Sequence, residues 1–90
     1  MQEKSTDQII SEREKTHGDY SDCAATYNRI KKILHSTVDM PDELLLARDM
    51  IALKLARIAS GDAGFLDHWA DIAGYAQLAV DYLQSKKNAD

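Results

Sequence analysis

Residues 39–83 read DMPDELLLARDMIALKLARIASGDAGFLDHWADIAGYAQLAVDYL, and this stretch decides the fold. Asp39-Met40-Pro41-Asp42-Glu43 puts a proline at a first helical position, with acids in the first turn, where the partial positive charge of a helix start favours them. The helix predicted from there runs to about Ala59. It is apolar nearly all round, through Leu44, Leu45, Leu46, Met50, Ile51, Leu53, Leu55 and Ile58, as befits the centre of a bundle. Ser60-Gly61-Asp62-Ala63-Gly64 closes it. The next helical pattern starts at Leu66 or Asp67 and runs to Leu83, with Trp69, Ile72, Ala73, Ala76, Val80 and Leu83 on one stripe. Gly74 in its middle costs about 1 kcal/mol relative to alanine, which points to close approach by another helix.

Upstream, the punctuation is equally sparse. Thr6 or Asp7 caps a predicted helix from about Gln8 to Thr16, which Gly18 ends. Ser21 is read as the cap of a second helix, Asp22 to His35, whose Cys23, Tyr27, Ile30 and Leu34 share one face. The tail 85–90 is polar and expected to fray. There is no strand alternation and no internal repeat. The chain is predicted to be all-α, a single domain of four helices with its ordered core at about residues 6–84.

Size limits what such a chain can do alone. Ninety residues at 10.1 kDa should expose about 5,300 Å² when folded, burying about 64% of the unfolded surface. Of the 23 Val, Ile, Leu, Met, Phe and Trp residues, 15 lie between Leu44 and Leu83, so the first two helices can hardly cover both sides of the last two. An exposed apolar surface of that size marks an interface, and a symmetric dimer or dimer of dimers is expected. The net charge of −4 argues against general nucleic-acid binding, which needs a basic stripe. Cys23 is alone, which excludes an intramolecular disulfide and a cysteine-based zinc site. The charged N-terminus has no signal-peptide core, and the apolar run Leu44–Ala47 is far too short for a membrane span. A soluble, cytoplasmic protein is expected.

The candidate functional residues are polar groups on helices that otherwise read as buried. Lys54 and Arg57 share a face three apart; Asp67, Asp71 and Tyr75 share another, with His68 beside them. Two readings fit this pattern: an inter-helix salt-bridge network fixing register, or a polar pocket for a free or metal-bound phosphate. His17-Gly18-Asp19-Tyr20 likewise reads either as a helix C-cap followed by an Asp turn, or as a loop lining a nucleotide pocket, with Tyr20 stacking and His17 and Asp19 hydrogen bonding. Trp69 is a core residue or a base-stacking one, and the Arg29-Lys31-Lys32 cluster is a solvated face or a phosphate contact. No nucleophile elbow, P-loop, dinucleotide fingerprint or zinc-ligand spacing occurs. An enzyme built on this chain would therefore rely on metal-assisted attack by water.

Three motifs in order carry a resemblance over about residues 12–83: His17-Gly18-Asp19-Tyr20, Asp49-(x4)-Lys54-(x2)-Arg57, and Asp67-His68-Trp69-Ala70-Asp71-Ile72-Ala73-Gly74-Tyr75. They resemble a family of small phage and prophage proteins, itself similar to the MazG-like all-α nucleoside triphosphate pyrophosphohydrolases and to nucleotide-modification-associated domains. The resemblance implies a bacterial host cytoplasm and a Mg²⁺ site built from two carboxylate pairs. The second pair falls on His68 and Asp71, with Asp67 as a substitute ligand, so Asp67 and Asp71 are the metal candidates. The first pair falls on Lys54 and Arg57, which repel a hard cation and instead suit phosphate oxygens.

The expectation drawn from this is a nucleotide binder that need not hydrolyse its ligand. Lys54, Arg57 and Arg29 would hold phosphate, and Tyr20, Trp69 or Tyr75 the base, with His17, Asp19 and Asp71 orienting them. Two alternatives stand beside it. One is a Mg²⁺-dependent pyrophosphohydrolase using Asp49, Asp67, Asp71 and Glu12 or Asp19. The other is a protein-interaction module whose charges only set helix register.

Overall fold

Ser5 opens the first helix, α1 (Thr6–His17), through a reciprocal cap. Its hydroxyl accepts from the Gln8 backbone N–H at 3.1 Å, and the Gln8 side chain accepts from the Ser5 N–H at 2.8 Å. That box starts the helix ahead of the predicted Thr6 or Asp7 cap, because only Ser5 has an amide partner three residues on. The computed structural model describes residues 4–35 and 39–88. Within them lie α1, α2 (Tyr20–Leu34), α3 (Asp42–Ser60) and α4 (Leu66–Asn88), with no strand among the described residues.

Each remaining boundary has its own cause. Asp19, not Ser21, caps α2 by accepting from the Asp22 N–H at 3.1 Å. A carboxylate suits the positive end of a helix better than a hydroxyl does, so α2 starts immediately after the turn at Gly18. Pro41 is itself the cap of α3; its carbonyl accepts from Leu44 and Leu45 at 3.1 and 2.9 Å. α4 continues past Leu83 to Asn88, with Lys86 and Lys87 in its last turn where cations suit the negative helix end. Lys86 also lies over the Tyr82 ring, 5.6 Å from its centre. Of the predicted tail, residues 89–90 lie outside the described residues.

α3 is the centre of the molecule and the helix against which each of the other three packs. The predicted central role of this helix is thus borne out, but its core is made of small side chains. Ala47, Ala52 and Ala56 are its buried apolar residues, while Leu46 and Leu55 stand exposed. Alanines let helix axes approach closely but bury little area each. The result is an extended body of 55 × 33 × 22 Å with a radius of gyration of 16.1 Å, against about 12 Å for a compact chain of this length. Its surface of 6826 Å² exceeds the expected 5,300 Å² or so, and burial falls to about 53%. No helix among the described residues is long and apolar enough to cross a membrane.

The apolar stripe read on the last helix is not, for the most part, its inner face. The buried and half-buried residues of α4 are His68, Ile72, Tyr75, Ala79 and Tyr82, whereas Trp69, Ala73, Ala76, Val80 and Leu83 are exposed. Each exposed residue directly follows a docked one, so the stripe lies about 100° round the helix from the face that meets α3. Gly74 is likewise open: a Cβ there would meet nothing within 4 Å. The close approach expected at Gly74 does not occur within the chain.

Candidate functional site

Two glycines bring the motifs together. The turn after α1 passes so near the turn after α3 that a Cβ on Gly18 would sit 2.3 Å from the Ser60 carbonyl oxygen, and one on Gly61 would sit 2.4 Å from that of Thr16. Gly18 also has φ of +82°, a conformation that side chains rarely adopt. At this crossing the Thr16 carbonyl, left without an intrahelical partner at the end of α1, accepts twice. The Asp62 N–H donates to it at 3.0 Å, and Nε2 of His68 lies 2.7 Å away. That contact fixes the tautomer: Nε2 carries the proton, and the sealed Nδ1 has no hydrogen-bond partner among the described residues. His68 is fully buried, with the rings of His17 and Phe65 each 4.9 Å from its own, centre to centre.

One turn further along α4, Lys54 reaches Asp71 at 2.6 Å. The Lys54 side chain is largely buried, while Asp71 is half open to solvent. The hydrogen bond from Lys54 holds the Asp71 carboxyl below the usual carboxylate range, its partial desolvation opposing this and the lysine charge adding to it. This is one half of the predicted inter-helix network. The other half does not form, since neither Asp67 nor Arg57 makes an ion pair among the described residues.

The other predicted site residues separate. Asp19 is occupied in capping α2. Trp69 is half exposed and donates its indole N–H to the Ala63 carbonyl at 2.7 Å, fastening the α3–α4 turn. Tyr75 is half-buried on the docked face of α4, and Arg29 is exposed on α2. Asp49 is held by Arg48 at 3.0 Å and Lys31 at 3.8 Å, while Arg48 also donates to the Leu34 carbonyl at 3.2 Å, closing the end of α2. Glu12 pairs with Lys4 at 2.7 Å. The acids named for a Mg²⁺ site thus stand apart, and among the described residues no three His, Cys, Asp or Glu side chains gather where they could hold a metal ion. As a donor set, the residues present do not fit a hard cation, which wants several oxygens at once.

What does come together is a cleft of about 620 Å³ walled by α1, α2 and α3. It brings His17, Tyr20 and Arg57 from the predicted set beside Arg13, Tyr27 and Leu53. Arg13 and Arg57 make no ion pair among the described residues, although Glu14 also lines the cleft. Burial lowers the His17 pKa below its usual 6.5, and the charges of Arg57 and Arg13 lower it further. His17 is therefore a neutral hydrogen-bonding group near pH 7. Tyr20 is almost wholly exposed at the rim, and Lys31 lies 5.6 Å from the centre of the Tyr27 ring. Arg13 and Tyr27 escaped the sequence reading as site residues. Their signal was helical spacing: Arg13 lies one turn before His17, and Tyr27 two turns after Tyr20.

The fold and cleft define a small all-α domain, four helices among the described residues, with a cationic, aromatic recess that the free thiol of Cys23 also lines. The family model for a domain of unknown function, DUF6378, matches residues 1–83, and the chain belongs to that family. No curated protein and no solved structure matches it.

Proposed function

We propose that the chain binds a nucleotide, or a ligand that similarly joins phosphate to an aromatic ring, in the α1–α2–α3 cleft without hydrolysing it. One observation carries the reading: Arg13 and Arg57, both without an ion partner among the described residues, line the same recess as two tyrosines. Guanidinium forks suit phosphate oxygens, and a tyrosine face suits a base. The recess is within the size range of small-molecule sites. This differs from the sequence expectation in its residues. Arg57, His17 and Tyr20 keep their proposed roles, and Arg13 and Tyr27 join them. Lys54 and Asp71 become register-fixing residues, and Trp69 a loop fastener. The MazG-like and phage resemblance, carried by three motifs, points to the same ligand class and to a homo-oligomer. In a phage setting such a protein would sequester a host nucleotide or serve nucleotide metabolism.

A thermal-shift screen against nucleoside mono- and triphosphates and cyclic dinucleotides, with and without Mg²⁺, tests the reading. A ligand at 100 times its Kd adds about 2.7 kcal/mol, a rise of roughly 10 °C or more for a domain of this size. The expected result is a Mg²⁺-independent shift that Arg57→Ala abolishes and Lys54→Met retains. A shift seen only with Mg²⁺ and accompanied by pyrophosphate release would replace the binder with the hydrolase. No shift across the panel, or one indifferent to Arg57→Ala, removes the cleft from consideration.

A further inference from the structure

The exposed stripe on α4 shares no lining residue with the cleft, and its order is informative. Trp69, Ala73, Ala76, Val80 and Leu83 are spaced four, three, four and three apart, the a/d rhythm of a helix–helix seam. Asp67, Asp71, Asp81 and Lys86 all fall off this line, so the seam is uncharged from Trp69 to Leu83. It is also self-complementary when reversed. An antiparallel copy related by a two-fold axis at Ala76 sets Trp69 against the partner's Leu83, Ala73 against the partner's Val80, and Ala76 against the partner's Ala76. Large side chains then close the two ends, a small one faces a medium one between them, and two alanines permit close contact at the axis. Antiparallel packing also sets the two helix dipoles in opposition.

We infer that α4 pairs with α4 of a second copy, antiparallel through the Trp69–Leu83 seam, about a two-fold axis at Ala76. The surface area agrees with this occupant. The chain exposes about 1,500 Å² more than a compact monomer of its mass. Covering that excess on two copies removes about 3,000 Å², within the range of obligate homodimers. The seam also adjoins further apolar surface to cover: Ala79, beside it on α4, lines a groove with Ile30, Leu34, Ile51 and Leu55.

Light scattering on the full chain should give about 20 kDa, twice the 10.1 kDa of one copy. Ala76→Arg, which sets two like charges face to face at the axis, should give monomers with an unchanged helical circular dichroism signal. Oxidation supplies a second readout that tolerates partial loss of stability. In a Cys23→Ser background, Ala76→Cys should cross-link to a dimer, whereas Asp81→Cys, well round the helix, should not. A tetramer that Ala76→Arg reduces to dimers supports the same contact. A monomeric wild type at 100 μM overturns the inference. So does a dimer that Ala76→Arg leaves intact, or cross-linking at Asp81→Cys equal to that at Ala76→Cys. Failure here leaves the cleft untouched, since Arg57→Ala is read by ligand shift and not by mass.

Discussion

The inner and outer edges of α4 share one backbone and differ in every other respect. Inside, a histidine is sealed beneath the end of α1, its ring nitrogen donating to a backbone carbonyl. Outside, one residue round the same helix, a tryptophan, a valine and a leucine stand exposed. Hydropathy alone would choose the opposite orientation. The difference teaches that polar satisfaction and steric fit select which face docks: an orphan helix-end carbonyl needs a donor, and Lys54 needs Asp71. The more apolar face is then left for something else.

The largest effects should come from closing the glycine crossing. Gly18→Ala and Gly61→Ala each drive a methyl group into backbone, and either should cost about 3 kcal/mol or more in urea unfolding. His68→Ala should follow at about 2 to 4 kcal/mol, from a buried void and a lost hydrogen bond. If it costs less than 1 kcal/mol, the inner edge is not what orients α4. Next comes an asymmetry: Asp71→Ala, which leaves a buried ammonium alone, should lower the melting midpoint more than Lys54→Met, which leaves a carboxylate that water can reach.

Acid should act on the same inner edge in two stages. The folded state disfavours protonated His17, so the unfolded chain binds more protons just below pH 6.5 and stability declines as pH falls through that region. Asp71 has a lowered folded pKa, so its contribution is present above about pH 3.8 and is lost as pH drops below it. Melting curves from pH 8 to 3 should show both stages, with His17→Gln reducing the upper one. The smallest effect belongs to the outer side: Gly74→Ala meets nothing and should stabilise by about 1 kcal/mol, the reverse of its two counterparts at the crossing. A loss at Gly74 would show that something packs there.

Helix number and order were legible because Pro41, Gly18 and the Ser60–Gly64 turn punctuate periodic segments strongly. Boundaries shifted by one to a few residues wherever a side chain made a better cap than its neighbour, as Ser5 and Asp19 do. The Lys54–Asp71 pair was legible as one of two readings, since spacing shows which residues share a face but not which helix that face meets. His68 was not. Nothing in a linear sequence says that a carbonyl at Thr16 will want a donor from the far side of the chain. The cleft was half legible for a related reason: His17, Tyr20 and Arg57 stood out by residue type, while Arg13 and Tyr27 count only once three helices converge.

The double acceptance at the Thr16 carbonyl has a consequence for how the protein is made. Residues 5–17 are synthesised well before the groups that fasten them, since Asp62 and His68 lie more than 40 residues further along the chain. α1 buries none of its own residues. A lone twelve-residue helix without a buried face is marginal in water. The first helix therefore waits, unfastened, until residues 62–68 have followed it, and its docking is a late, long-range closure rather than a step of local accretion.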